Sequence, residues 1–181
     1  MVEPKMSWIY EVIYALFFIF PAYVANAIPV ILGGGRAIDA GRKLSDGKPI
    51  FGSHKTVRGF VAGILAGTLT SAAENAVLQF GLLPDLTFQF NFSVWLGFVV
   101  SCGALLGDLV HSFFKRRIGI AEGSPLPVAD QLDFVVGAVL FSFLVSQPPM
   151  LTIFIIFVIT LPAHILTNFL AYITGLKKTP W

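Results

Sequence analysis

With 181 residues, of which 56% are hydrophobic and only 12% charged, and a mean hydropathy of +0.81, the chain is too apolar for a soluble domain, where roughly a quarter of residues carry charge. The length holds five spans of about 20 residues with short connections and leaves no room for a separate soluble unit. A formal net charge of +2 offers no nucleic-acid surface, and the single Cys102, in an apolar run, has no partner for an intramolecular disulfide.

The expected architecture is an all-α integral membrane protein of five transmembrane helices, a single domain over 1–181. The first span, 8–32, is too long for a signal-peptide core and lacks a basic leader, so it is read as retained. Pro21 and Pro29 are expected to kink it or end it early. Asn26 between them then sits where its amide and freed backbone groups line a polar cavity, or where it hydrogen-bonds a neighbouring helix.

A loop over 33–56, GGGRAIDAGRKLSDGKPIFGSHKT, is too charged and glycine-rich to span. The second span, 57–80, carries Glu74 and Asn75 well inside, and a connector over 81–91 holds Pro84 and Asp85. The third span, 92–114, has Asp108 as its one acid; a loop over 115–129 follows, then a fourth span over 130–146. Pro148 and Pro149 make the turn into the fifth span, 150–174, which includes Pro162, His164 and Asn168.

Five spans put both charged loops and the C-terminus on one side, where eleven of the twelve cations fall; Lys5 alone lies on the other. The positive-inside rule makes that side the cytoplasm and puts the N-terminus outside. Lys177 and Lys178 read as topology signals and headgroup anchors.

The stretch Gly107–Asp133 carries the chemistry. An Asp within a spanning helix is disfavoured by about 2.5–3.5 kcal/mol at the helix centre, so its presence points to function. Asp108, His111, Ser112 and Lys115 are spaced i, i+3, i+4, i+7 and share one face of the third helix; Asp130 and Asp133 share a face at the start of the fourth. Two acidic helix ends repel unless something positive lies between them. A divalent cation satisfies this, and carboxylate oxygens suit Mg²⁺; salt bridges to Lys115, Arg116 and Arg117, with Asp130 as a helix N-cap, are the structural alternative. In the first loop, glycines let backbone N–H groups approach phosphate and the neighbouring cations supply charge. Its GKPIFGSHKT segment is no Walker A loop, because two residues separate Gly52 from Lys55 and no parallel sheet presents it. Metal, polyphosphate and membrane together suggest phosphoryl or nucleotidyl transfer to a lipid.

Ser112, Lys115, Arg116, Leu126, Pro127, Asp130 and Asp133 resemble the phosphatidate cytidylyltransferase signature, in which a Ser, a Lys-Arg pair, a Leu-Pro pair and a closing D-x-x-D follow a Gly-Asp-Leu. The likeness is closer to the small archaeal branch, the CDP-archaeol synthase family, which YVANAIPVILGGG, IDAGRKLSDGKPIFGSHKTVRG and the overall length also resemble; it covers nearly the whole chain. Two departures stand out: Ala121-Glu122 replaces the usual Lys-Asp pair, and the His-Gly-Gly before the last acidic pair is missing. Glu122 therefore carries no assigned role.

The resemblance implies a Mg²⁺-dependent reaction of CTP with a polyprenyl glycerol phosphate lipid, giving a CDP-activated lipid and pyrophosphate at the cytoplasmic face of the cell membrane. Asp108, Asp133 and Asp130 would hold one or two Mg²⁺ ions, and Lys115 and Arg116 would stabilise the leaving pyrophosphate. Lys55, Arg42 and Lys43 would add phosphate contacts, His111 and Ser112 would support the ligands, and Asn26 would orient one of them. Apolar faces between spans would leave a lateral groove for the prenyl chains. Glu74 receives no catalytic role and His164 reads as a helix-to-helix hydrogen bond. Gly59, Gly63 and Gly67 could pack on a second copy, giving a homodimer, or on a neighbouring helix. A transporter or flippase for an anionic lipid is the alternative class, although paired repeats and helices interrupted in both halves are not apparent. The D-G-x-x-A-R run of CDP-alcohol phosphotransferases is absent, and a purely structural subunit leaves Asp108 unexplained.

Overall fold

The computed structural model describes residues 8–80 and 92–176, so the 81–91 connector, Lys5, Lys177 and Lys178 lie outside the described residues. Five helices follow in order: α1 Trp8–Leu32, α2 Val57–Gln79, α3 Val94–Arg117, α4 Ala129–Ser142 and α5 Met150–Ile173. No strand occurs among the described residues, only isolated bridges pairing Ala37 with Thr56 and Lys43 with Pro49.

Helices α1, α2, α3 and α5 are long and apolar enough to cross a membrane. The fourth is shorter than expected: it stops at Ser142 rather than reaching 146. The Ser142 hydroxyl bonds back to the Val139 carbonyl, and Leu144 and Val145 close tight turns onto Phe141 and Ser142, so the ladder tightens and ends there. Fourteen residues rise about 21 Å, short of the roughly 30 Å hydrocarbon core. The third helix runs longer than expected, through Lys115, Arg116 and Arg117, which therefore occupy its last turn rather than the loop. Three cations there complement the negative end of the helix dipole.

Neither proline ends α1 early. Pro29 has no N–H for the Ala25 carbonyl, and that carbonyl faces Gly63 of α2, where an added Cβ would lie 2.5 Å away. The same antiparallel register sets Gly67 against the Pro21 carbonyl (2.6 Å) and Gly59 against the Pro29 side chain (3.2 Å). The three glycines thus pack on a neighbouring helix, as small residues do where backbones approach closely. The same glycine face of α2 also meets α3, Gly63 beside Leu105 and Gly67 beside Ser101. A second close seam joins α3 to α4. Gly103 packs on Phe141, Gly107 on Gly137 and on the Asp133 carbonyl, leaving no room for a side chain. Phe18, Ile19, Val100, Phe134, Val135 and Ile156 fill the centre. The last helix joins through Thr160, whose hydroxyl pairs with Tyr23 at 2.8 Å. Its buried residues, Thr152, Ile156 and Thr160, all lie in its first half.

Candidate active site

The α3–α4 seam decides where the acids stand. Because Gly107 lies on the Asp133 backbone, Asp108 emerges beside Asp133, and one turn further along α3 His111 reaches Asp130 at 2.7 Å. Lys115, a turn further again, grips both Asp130 oxygens at 2.6 and 2.8 Å and donates to the Ser124 carbonyl at 2.8 Å. Asp130 also accepts the Leu126 N–H at 2.7 Å. Asp130 therefore pins the 118–128 loop rather than capping α4. The residue in the capping position is Val128, at φ +67°, a conformation costly for a β-branched side chain, and it makes no side-chain cap.

The 33–56 loop is built around Asp39, a residue that sequence spacing alone does not single out. Its carboxylate is buried (6% exposed) and accepts the N–H groups of Gly41, Phe51 and Gly52 at 2.9–3.0 Å. Burial pushes its pKa up, but these three donors outweigh that and hold it below the usual carboxylate range. The signal was present as D-A-G: an Asp that bonds the N–H two residues on, with Gly41 free to take φ +73°. Asp46 makes the same turn with the Lys48 N–H, and that hydrogen bond followed by Arg117 keeps its pKa low.

So braced, the loop reaches across to α3. Lys55 lies 2.5 and 2.7 Å from the two oxygens of Asp108. The rim is tied in three further places. Lys48 donates to the Arg117 carbonyl (2.8 Å), Arg117 pairs with Asp46 (2.7 Å), and the Ser53 N–H and hydroxyl meet Glu122 at 2.9 and 2.7 Å. Glu122 thus joins the two loops. Arg117 also donates to the Pro49 carbonyl and lies 5.2 Å from the Phe113 ring centre.

Between these walls is a cavity of about 960 Å³. Asn26, Lys55, Asp108, His111, Ser112, Lys115, Arg116, Asp130 and Asp133, all singled out in the sequence, line it. Arg42 and Lys43 do not: they are exposed, at the bridge between Lys43 and Pro49 outside the cavity. Arg116 is buried (6% exposed), and its Nε has no partner among the described residues. His164 and Asn168, 2.9 Å apart on α5, add a polar wall, and the His164 ring stacks on Phe134 of α4 with centres 6.0 Å apart. A second, apolar groove of about 420 Å³ runs along α3 and α4 past Val110, Phe114, Val136 and Leu140. His111 and Asp133 line both spaces. Ligand atoms of His111, Asp130 and Asp133 lie within 4.8 Å of one another, close enough to share a cation after small rotations.

A helical membrane protein with a mixed-charge cavity that shares two lining residues with an apolar groove is the class these features define. A family model described as CarS-like, CDP-archaeol synthase, matches residues 8–181. Curated relatives named CDP-archaeol synthase include one from Methanopyrus kandleri, 44% identical over 168 residues (92% of this chain, 91% of the relative), and one from Methanocaldococcus jannaschii, 42% identical over 175 residues (95% and 99%). A solved structure described as "Structural insight into an intramembrane enzyme for archaeal membrane lipids biosynthesis" superposes with a TM-score of 0.73 at 34% identity, covering 87% of this chain and 94% of that one. The chain belongs to the CDP-archaeol synthase family, and is accordingly a multi-pass membrane enzyme, a CTP-dependent nucleotidyltransferase of archaeal lipid synthesis.

Proposed function

We propose that the protein transfers CMP from CTP to a polyprenylated glycerol 1-phosphate, giving the CDP-activated lipid and pyrophosphate, with the whole chain acting as one catalytic unit. The observation that carries this reading is the meeting of the two spaces at His111 and Asp133: a polar cavity sized for a nucleotide and an apolar groove for a prenyl chain share these two walls. The lipid phosphate would sit at that junction, with its chains along α3 and α4. One phosphate oxygen of the lipid attacks the α-phosphorus of CTP, and the bond from that phosphorus to the β-phosphate bridging oxygen breaks. A phosphomonoester is already anionic near neutral pH, so no Ser or Cys nucleophile and no strong base is needed. The protein's part is to align two polyanions and neutralise the charge that builds on the departing pyrophosphate.

Lys55, Lys115 and Arg116, which line the cavity, would supply that neutralisation, and the Arg116 Nε, without a partner among the described residues, would donate to a phosphate oxygen. The donors also suit Mg²⁺, since Asp108, Asp130 and Asp133 offer hard carboxylate oxygens within one cavity. A divalent cation held there would supply neutralisation of phosphate charge. Ser112 and Asn26 line the same cavity and would orient the ligands. Arg42 and Lys43, outside it, would contribute long-range attraction for CTP. The cation distribution supports a cytoplasmic position for the cavity.

The test uses detergent-purified protein, labelled CTP and a geranylgeranylated glycerol phosphate, with and without Mg²⁺. Metal-dependent labelled lipid and stoichiometric pyrophosphate are expected. Asp133→Asn should lower turnover by roughly 10³-fold while keeping the thermal melting profile. Absence of labelled lipid with every lipid phosphate tried overturns the reading.

A further inference from the structure

The cavity's charges already satisfy one another, with one exception on each side. Lys55 spans both oxygens of Asp108, and Lys115 spans both oxygens of Asp130 with His111 beside it. Among the described residues, Asp133 hydrogen-bonds only the N–H of the next residue on its own helix, and Arg116, nine-tenths buried in the same wall, keeps an Nε with no partner. A divalent cation that takes Asp108 or Asp130 as a ligand without phosphate present must therefore displace an ammonium held at 2.5–2.8 Å from those oxygens. A polyphosphate arriving alone must pull Lys55 and Lys115 from their carboxylates and leave those uncompensated. Arriving together, the two let each group exchange one opposite charge for another: carboxylate oxygens pass to the metal, ammoniums to phosphate. No group is left bare at low dielectric, where an unpaired charge is most costly.

We propose that Lys55 is a positioning residue that couples metal binding to nucleotide binding by occupying Asp108 until phosphate draws it away. This rests on the reading of the cavity as a metal–nucleotide site. The coupling keeps the carboxylates from trapping metal when CTP is absent, and it is reciprocal: the metal strengthens CTP binding by the factor by which CTP strengthens metal binding. Lys55 suits the role because it rides on the 33–56 loop through a flexible four-carbon stem, whereas Lys115 is anchored within α3 and also holds the Ser124 carbonyl.

The experiment measures Mn²⁺ binding to the full-length detergent-solubilised protein by electron paramagnetic resonance of the free ion, without nucleotide. A parallel series titrates the non-transferable α,β-methylene analogue of CTP, with EDTA or with Mn²⁺, by calorimetry. The wild type should take up Mn²⁺ weakly by itself, and the analogue should bind far better with the metal. Lys55→Met should bind Mn²⁺ alone more tightly, on the order of tenfold or more, with the metal dependence of analogue binding reduced. Lys55→Arg, which keeps the charge, should behave like the wild type in the metal titration, and melting profiles identify a variant that does not fold. Unchanged or weaker Mn²⁺ affinity in Lys55→Met, with metal-dependent analogue binding intact in the wild type, overturns the coupling and spares the site. If no protein binds Mn²⁺ with or without the analogue, the metal–nucleotide reading falls with it.

Discussion

Along α2, Gly59, Gly63 and Gly67 let the helix settle onto α1, whereas along α3, Gly103 and Gly107 meet Gly137 and the Asp133 carbonyl of α4. Both seams are glycine-lined and antiparallel, and both bring backbones closer than side chains permit. They differ in what stands at their ends. The α1–α2 seam leads into the 33–56 loop, which brings the Lys55 ammonium to the cavity on a flexible stem. The α3–α4 seam carries Asp108 and Asp133 on the two touching backbones themselves. An error of an ångström in the first is absorbed by a lysine rotamer, while the same error in the second moves the acids apart.

Between the two seams, the larger effect on catalysis is therefore expected at Gly107. A Cβ there meets the Asp133 carbonyl and lies 3.1 Å from the Gly137 Cα, contacts that only a backbone shift of α4 can relieve. Gly107→Ala should lower kcat/KM by roughly 100-fold, because a displacement of about 1 Å in positioned groups costs that much. Gly63→Ala is the matched control, its Cβ 2.5 Å from the Ala25 carbonyl and 2.9 Å from Leu105. It should cost about 1–3 kcal/mol of stability by overpacking but change kcat per folded molecule only several-fold. Equal losses of kcat in the two variants, measured beside thermal melting, would erase the distinction between the seams.

Much of this was readable in the sequence, and what escaped it has physical reasons. Apolar runs set the limits of α1, α2 and α5 to within a residue or so, and i, i+3, i+4, i+7 spacing placed Asp108, His111, Ser112 and Lys115 on one face. The end of α4 was missed because no Gly or Pro stands at Ser142; the ladder gives way there to tight turns of Leu144 and Val145 onto Phe141 and Ser142. The pairing of Lys55 with Asp108 joins residues 53 apart, which periodicity cannot report. Asp39 does not stand out among the charges of its loop, although D-A-G is a turn signal. A buried carboxylate with three backbone donors looks, in sequence, the same as a solvated one.

Asp39 offers a smaller effect that separates the 33–56 loop from the helix seams. Its pKa is depressed in the folded protein, so its contribution is full above about pH 4 and is lost as pH falls through the depressed value. Asp39→Asn should destabilise by about 2 kcal/mol at neutral pH, since hydrogen bonds to a charged acceptor are lost, and should raise KM for CTP more than it lowers kcat. The gap in stability between wild type and variant should close below about pH 4. A gap that stays constant through acid would mean that the carboxylate charge is not what holds the loop.

The smallest change is expected at Arg42 and Lys43. Both are loop cations of the kind that binds phosphate, yet both are exposed and neither lines the cavity, while Lys55, twelve residues beyond Lys43, reaches Asp108. A charge held outside the cavity acts through solvent, where screening limits it to about a Debye length, ~8 Å at physiological salt. Removing both with alanine should therefore lower kcat/KM for CTP by about threefold or less at ~0.15 M salt, with a larger loss at low ionic strength, as for a cation that steers a polyanion. A salt-independent loss of roughly 100-fold would instead require direct contact with phosphate. The loop would then have to fold inward over bound CTP, breaking the Ser53–Glu122 and Lys48–Arg117 ties that hold its rim. The salt dependence of this double variant thus decides whether the 33–56 loop serves as a fixed wall or closes on its substrate.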